Sequence, residues 1–278
     1  MMRYLIHLLG IITIFLAVNP TSAQTSSVGS QSPTSIKTLI NRAENHSRRG
    51  EYDQAESLLR QLLTTYEQSL GPQHPLSAKT LSRLAKVQAL QDRYEEAELL
   101  YQRSQAILEA ALAPTDPDLV SVIKDFAMFY RRQDKFYHAE LLFQRILIIL
   151  ENSLGTTHPD LILPLHNLAY TYFYQNRYAE AESTYLRILA ILEISNNGKP
   201  SELAITFNNL AAVYYYQQRY TDAELLYQSA LGLFQDKLRL GSLNATTVMQ
   251  NYARVMFRTE RNKEGMEMLN HARLLQQK

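Results

Sequence analysis

The sequence of 278 residues contains no cysteine, and its formal net charge at pH 7 is only +1. The lack of cysteine excludes thiol catalysis, thiolate zinc sites and disulfide bonds together. A net charge near zero gives no bulk attraction to nucleic acids or to acidic membranes. The sequence also lacks a His-Glu-x-x-His motif, a glycine-rich phosphate loop and a nucleophile elbow. We therefore predict a protein that is not an enzyme and that binds no metal, no cofactor and no nucleic acid.

The sequence does contain one pattern that recurs six times at an interval of forty-two residues. An alanine stands at the same position of every unit: Ala43, Ala85, Ala127, Ala169, Ala211 and Ala253. A large aromatic or aliphatic residue recurs at a second position: Leu59, Tyr101, Phe143, Tyr185 and Tyr227. Six units at a fixed period indicate a stacked array of repeats.

The fourth unit shows why each unit should be a pair of helices. Leu165, Leu168 and Ala169 are spaced i, i+3 and i+4, which places them on one face of a helix. After a polar break at residues 175–177, a second apolar stripe begins at Ala181. One helical hairpin cannot bury both stripes alone, so each unit needs a neighbour. We predict an all-α fold, a right-handed α-solenoid of six helix-turn-helix repeats with twelve helices, no strand and the six repeat alanines buried.

We call the two helices of each unit helix A and helix B. Their pattern resembles the tetratricopeptide repeat, in the forty-two-residue form found in the kinesin light chain family. The small residues, the aromatic residue that opens helix B and the junction Leu-Gly-x-x-His-Pro, which begins at Leu70 and again at Leu154, carry the resemblance. It covers roughly residues 35–276. The resemblance implies a binding scaffold for other proteins.

The chain divides into a leader, a linker and the array, whose units lie near residues 35–74, 75–116, 117–158, 159–200, 201–242 and 243–276. Residues 24–34 are polar and without periodicity, which is typical of a disordered linker. Residues 1–23 predict a secretory signal peptide, because Arg3 precedes an apolar run over residues 5–18 and a small-x-small cleavage site ends at Ala23. The signal predicts export, to the periplasm or the medium if the source is bacterial. The alternative is that residues 5–18 remain as a membrane anchor.

Several repeated positions are predicted to serve the backbone. The turn inside each unit should contain a residue in the left-handed region, where glycine, aspartate and asparagine are tolerated best. The residues at this position are Gly50, Asp92, Asp134, Asn176, Gln218 and Glu260. Pro164 predicts that helix A of unit four begins late, near Leu161 or Ile162, so that the proline stays within its first turn.

Two sets of polar residues are predicted to be structural rather than catalytic. A glutamate recurs in helix B of the first five units, and it should pair with adjacent residues or helix ends: Glu56, Glu98, Glu140, Glu182 and Glu224. His74 and His158 occupy the same junction in different units, too far apart in a stacked array to share a metal ion. We predict that each of them caps a helix.

Candidate binding residues lie on the side of helix A that the core does not use. The residue before the Leu-Ala pair of the fourth and fifth units, and the residue at the matching position of the sixth, is an asparagine: Asn167, Asn209 and Asn251. Asparagines at this position contact bound peptide in the kinesin light chain family, so the resemblance implies the same role here. Hydrogen bonding between neighbouring helices is the alternative.

Aromatic and basic residues extend this candidate site toward opposite ends of the array. Aromatic residues beyond those needed for packing follow the asparagines: Tyr170, Phe173, Tyr174, Tyr215 and Tyr216. Basic residues gather in the early units: Arg83, Lys86, Arg131 and Arg132, together with Lys79 and Lys124. We predict a protein or peptide partner that carries acidic residues near one end and bulky apolar residues near the other. The alternative is that both sets merely cover the helix surface.

Three functions are compatible with these patterns. The leading hypothesis is an exported, non-enzymatic scaffold that holds an extended or helical segment of another protein in its concave groove. The second is a structural assembly factor that associates with its own copies. The third is an enzyme of the cell envelope without a recognisable motif, supported only by the predicted export and by a groove rich in tyrosine and arginine.

Overall fold

The computed structural model describes residues 33–195, 199–234, 239–240 and 243–277. The predicted signal peptide, the alternative membrane anchor and residues 24–32 of the predicted linker lie outside these ranges. Over the part described, no helix is long and apolar enough to cross a membrane. The first helix begins at Pro33, slightly before the predicted start of the array at residue 35.

The described residues form twelve α-helices arranged as six hairpins, which confirms the predicted all-α solenoid. The helices are α1 (Pro33–Arg48), α2 (Tyr52–Leu70), α3 (Pro75–Leu90), α4 (Tyr94–Ala111), α5 (Pro117–Arg132), α6 (Phe136–Leu154), α7 (Ile162–Tyr174), α8 (Tyr178–Ile194), α9 (Pro200–Tyr216), α10 (Tyr220–Gly232), α11 (Ala245–Arg258) and α12 (Asn262–Gln276). Odd-numbered helices are helix A, and even-numbered helices are helix B, of successive units. Each helix packs on the next along the chain, so the units stack in sequence order.

The prediction that the array contains no strand is wrong at one junction. Two short strands, β1 (Arg239–Leu240) and β2 (Leu243–Asn244), pair in antiparallel fashion between α10 and α11. The sequence between them is Gly-Ser, a pair typical of two-residue hairpin loops. The junction between units five and six also lacks the Leu-Gly-x-x-His-Pro motif.

The repeat alanines are confirmed as core positions, since none of the six is more than 2% exposed. The large residues at the second repeated position of units one to five are buried as well. In unit six, Gly265 replaces the alanine of helix B, and a Cβ atom there would lie 2.7 Å from the ring of Phe257. The two helices of this unit therefore approach each other more closely than an alanine would allow.

The backbone predictions at the turns and at Pro164 are also confirmed. All six turn residues have positive φ angles, from 56° at Asp134 to 77° at Gly50. A short 3-10 helix spans Pro159–Leu161, and α7 begins directly after it at Ile162. Pro164 therefore lies in the first turn of α7, where its missing N–H group breaks no helical hydrogen bond.

Each recurring glutamate pairs with a cation of the following unit, which confirms its predicted structural role. The pairs are Glu56–Arg93, Glu98–Lys135, Glu140–Arg177, Glu182–Arg219 and Glu224–Arg261. In every pair the cation immediately precedes helix B of its own unit. We call this series the interunit ladder. Hydrogen bonds donated by Arg261 outweigh the effect of burial and, with one donated by Tyr252, hold the pKa of Glu224 below its usual value.

The junction histidines cap helices, as predicted. Nδ1 of His74 accepts a hydrogen bond from the backbone N–H of Leu76 at 3.1 Å. Nδ1 of His158 accepts one from the backbone N–H of Asp160 at 3.2 Å. Both histidines thus satisfy backbone donors that the first turn of a helix leaves without a partner.

Candidate functional site

The odd-numbered helices line a groove that runs along units one to four. Two cavities of about 620 Å³ and 660 Å³ make up this groove. Their linings share Lys86, Leu90, Asp125 and Arg132, so the cavities are neighbouring parts of one surface. We call the one that extends from α3 to α7 the second cavity. Most lining residues belong to helix A, as expected for the inner surface of a stacked array.

The second cavity collects four cations that have no carboxylate within ion-pair distance in the described part of the chain: Lys86, Lys124, Arg131 and Arg132. Two cations that line only the first cavity are, by contrast, already engaged. Lys79 pairs with Asp118 at 2.7 Å, and Arg83 lies 3.8 Å from Glu44. Of the six predicted basic residues, Lys79 and Arg83 are therefore partly neutralised, whereas the four that line the second cavity remain available to an anion.

Arg131 marks the boundary between the basic and the aromatic parts of the groove. Its guanidinium lies over the ring of Tyr170, 4.6 Å from the centroid. Burial lowers the pKa of Arg131, because removing a cation from water disfavours the charged form. A half-buried guanidinium without a carboxylate favours the approach of an anionic group from outside.

The predicted aromatic residues lie together at the ends of α7 and α9. Tyr170 contacts Tyr174 with ring centroids 4.4 Å apart, and Phe173 contacts Tyr216 at 5.1 Å. Tyr170, Tyr174 and Tyr216 are 36%, 49% and 51% exposed. Tyr215 lies beside Tyr216 at 5.4 Å and is less exposed. The structure thus brings these five residues into one aromatic surface that is open to solvent.

The asparagines are engaged in hydrogen bonds within the array. Asn167 is 9% exposed, and its Nδ2 donates to the carbonyl of Leu163 at 2.9 Å. Nδ2 of Asn251 donates to Oδ1 of Asn208 at 3.0 Å, and Nδ2 of Asn208 donates to Oδ1 of Asn209 at 3.0 Å. The bond donated by Asn251 joins unit six to unit five, whereas the bond between Asn208 and Asn209 lies within unit five. Only Asn167 among the three predicted asparagines lines the second cavity.

Sequence reasoning missed two members of this surface. Leu163 is 59% exposed and lines the second cavity. Tyr178 stacks on Tyr216 with centroids 5.7 Å apart. The signal for Tyr178 was present, because it is the aromatic residue that opens helix B, but that residue was interpreted only as a mark of the repeat.

The repeat pattern matches known protein families over most of its length. A family model described as tetratricopeptide repeat matches residues 34–110 and 119–194, and a second model of the same description matches residues 203–236. The chain belongs to the tetratricopeptide repeat family. Tetratricopeptide repeats generally form surfaces for protein interaction and not active sites. No curated protein sequence matches the chain significantly.

Solved structures of other tetratricopeptide repeat proteins share the fold. A Podosopora anserina kinesin light chain protein with nearly identical TPR-like repeats is 20% identical, with a TM-score of 0.64 over 72% of this chain and 95% of that one. BtubC from P. vanneervenii is 24% identical, with a TM-score of 0.64 over 76% of this chain and 86% of that one. NprR in complex with its cognate peptide NprX is 18% identical, with a TM-score of 0.55 over 85% of this chain and 66% of that one.

Proposed function

We propose that this tetratricopeptide repeat protein is an exported, non-enzymatic scaffold that holds an extended segment of a partner protein in its groove. Acidic residues of the segment occupy the second cavity, and its apolar residues cover the aromatic surface of α7 and α9. The observation that carries the proposal is the collection of four unpaired cations in one cavity beside exposed tyrosines. Acidic side chains would supply the carboxylates that these cations lack.

The two parts of the groove should contribute differently to binding. Charges at an exposed surface mainly raise the association rate, and salt screens them over about 10 Å at 0.1 M. Apolar burial against Tyr170, Phe173 and Tyr216 should mainly slow dissociation. The structure of NprR with its peptide supports the proposal, since that protein of the same fold binds a peptide.

Removing two cations of the second cavity should weaken the binding of an acidic peptide. The probe is a fluorescent synthetic peptide with a block of glutamates followed by a block of leucines and phenylalanines. We expect the variant Lys86→Gln/Lys124→Gln to bind it about tenfold more weakly than the unchanged protein, mainly through slower association. Stopped-flow fluorescence at low and high salt measures both rate constants.

A charge-matched control distinguishes local from overall charge. The variant Lys263→Gln/Arg273→Gln also removes two positive charges, but from the exposed surface of α12. It should bind the peptide as well as the unchanged protein does. If the two variants bind alike, or if salt leaves the association rate unaltered, the cations of the second cavity are ordinary solvated surface and the proposed groove is wrong.

Export depends on the leader and can be tested independently of the groove. We expect the mature protein to begin at Gln24, because residues 21–23 form a small-x-small cleavage site after the apolar run. N-terminal sequencing of the protein isolated from its producing organism measures this directly. Recovery of a chain that begins at Met1 in the membrane fraction would instead show that residues 5–18 act as an anchor.

A further inference from the structure

The last residue of helix A in units three to six gives a line of exposed side chains, in which tyrosines and arginines follow a definite order. The last residues of α5, α7, α9 and α11 are Arg132, Tyr174, Tyr216 and Arg258. They stand at the same repeat position of units three to six, and all four are exposed. We call this line the terminal row. It consists of two tyrosines flanked on both sides by an arginine.

Each tyrosine of the terminal row is held from behind by a second ring. Tyr174 stacks on Phe136, the first residue of α6, with centroids 5.4 Å apart and planes inclined by 19°. Tyr216 stacks in the same way on Tyr178, the first residue of α8, at 5.7 Å and 22°. The two tyrosines are therefore supported by equivalent contacts, although about half of each remains open to solvent. Supported rings of this kind lose little conformational entropy when a ligand covers them.

The spacing of the two tyrosines limits the backbone conformation of a ligand. Phe173 lies 5.3 Å from Tyr174 and 5.1 Å from Tyr216, so the two tyrosine rings are at most about 10 Å apart. A polyproline II helix repeats its face every three residues, or about 9 Å. Residues on one face of an extended strand repeat at about 7 Å, and an α-helix repeats its face at about 5 Å per turn. Of these three repeats, that of polyproline II lies nearest to the upper limit on the separation of the two tyrosine rings.

The chemistry of the tyrosines suits the same ligand. Aromatic grooves recognise polyproline II segments by stacking proline rings on aromatic faces. A polyproline II backbone has no internal hydrogen bonds, so its carbonyl groups remain free to accept hydrogen bonds from tyrosine hydroxyls. Because the conformation is already formed in the free peptide, binding costs little ordering entropy.

The flanking arginines add a requirement for charge. Neither Arg132 nor Arg258 has a carboxylate within ion-pair distance over the residues that the structure describes, and Nε of Arg258 donates to the hydroxyl of Tyr215 at 3.2 Å. A guanidinium binds a carboxylate well, through two parallel hydrogen bonds. An acidic residue on each side of the prolines would therefore contact one of the two arginines.

We propose that the terminal row binds a proline-rich segment in the polyproline II conformation, with the pattern acidic-x-x-Pro-x-x-Pro-x-x-acidic. One residue in three contacts the row, in the order Arg132, Tyr174, Tyr216 and Arg258 or its reverse. This inference rests on the proposed function of the groove as a peptide-binding surface. It adds the backbone conformation of the segment and the spacing of its contact residues.

The test compares synthetic peptides that differ only in spacing. The first probe is a fluorescent peptide with the sequence Glu-x-x-Pro-x-x-Pro-x-x-Glu, in which x is alanine or glutamine. The second has one extra residue between the prolines, and the third has leucine at both proline positions. We expect fluorescence anisotropy to show that the second and third bind at least about tenfold more weakly than the first.

Variants of the protein locate the binding. Tyr174→Ala/Tyr216→Ala should weaken binding of the first probe at least about tenfold, since buried aromatic contacts dominate such interfaces. Tyr137→Ala removes an exposed tyrosine from α6, outside the terminal row, and should leave binding unchanged. Arg132→Gln/Arg258→Gln alters only exposed side chains, and it should abolish the preference for glutamate over glutamine at the ends of the probe.

The outcomes separate this inference from the proposed function. Equal binding of the three probes, or binding of the first that is insensitive to the tyrosine and arginine variants, would overturn the polyproline II assignment. If the acidic and apolar peptide described above still binds through Lys86 and Lys124, the proposed function stands without it. Binding of chitohexaose that depends on Tyr174 and Tyr216, without binding of the proline probe, would assign the row to carbohydrate and likewise overturn the inference.

Discussion

Replacing Ala169 with phenylalanine is expected to lower the free energy of unfolding by about 3 kcal/mol, because overpacked cores force side chains and backbone apart. Ala169 on α7 is fully buried, and so is Ala181 on α8, which packs against α7. A phenyl ring at this position must push the two helices of unit four apart. Urea denaturation followed by far-ultraviolet circular dichroism measures the loss, as a shift of the midpoint to a lower urea concentration.

The matched control places the same ring on the outside of the same hairpin. Ala190 lies on an exposed face of α8, so Ala190→Phe should change the free energy of unfolding by about 0.5 kcal/mol or less. An Ala169→Phe variant that unfolds at the same urea concentration as the Ala190→Phe variant would show that the helices of unit four do not cross at Ala169.

Replacing Glu140 with alanine is expected to lower the free energy of unfolding by about 2 kcal/mol, the second largest effect that we predict. The reason is that the substitution removes the acceptor of several buried or half-buried donors at once. Glu140 is 7% exposed and accepts hydrogen bonds from Gln144 at 3.1 Å, from Gln175 at 2.8 Å and from Arg177 at 2.7 Å. Two of these donors belong to the following unit, so the loss should weaken the contact between units three and four.

Arg177 also provides the control for this prediction. Its Nε donates to Glu180 at 2.8 Å within the same unit, but the side chain of Glu180 is 45% exposed. Exposed ion pairs contribute less than about 1 kcal/mol, so Glu180→Ala should have little effect on the urea midpoint. Equal losses for Glu140→Ala and Glu180→Ala would contradict the importance of burial in the interunit ladder.

Sequence reasoning predicted the fold well because one physical constraint is repeated six times. The residues of the buried alanine, the left-handed turn and the apolar stripe each recur in the sequence with the same period. The three patterns therefore support one interpretation. Pro164 was interpretable because a proline inside a helix has only one tolerated place, the first turn. The hairpin of β1 and β2 escaped because it occurs once, at the least regular junction of the array.

The candidate site was harder to predict, since the sequence shows which side chains share a face but not which ones are already engaged. The repeat aligns Asn251 with Asn209, whereas the structure bonds Asn251 to Asn208, one residue out of register. Sequence alone gives no means of distinguishing Arg83 from Lys86, since both are basic residues of α3. Of the two, only Arg83 has a carboxylate within ion-pair distance. Whether a polar group is free depends on the neighbouring unit, which a single stripe of residues does not reveal.

The interunit ladder also governs how arrays can be joined. In unit one, the position of the ladder cation holds Glu51, which is bonded to His46 at 2.5 Å, and in unit six the position of the ladder glutamate holds Met266. Head-to-tail stacking of two copies would bring a thioether toward a carboxylate, where every internal junction has an ion pair. Heterologous contacts of that kind otherwise produce open filaments. Each unit added within a chain therefore extends the series of ion pairs. End-to-end association of two chains would gain no such ion pair.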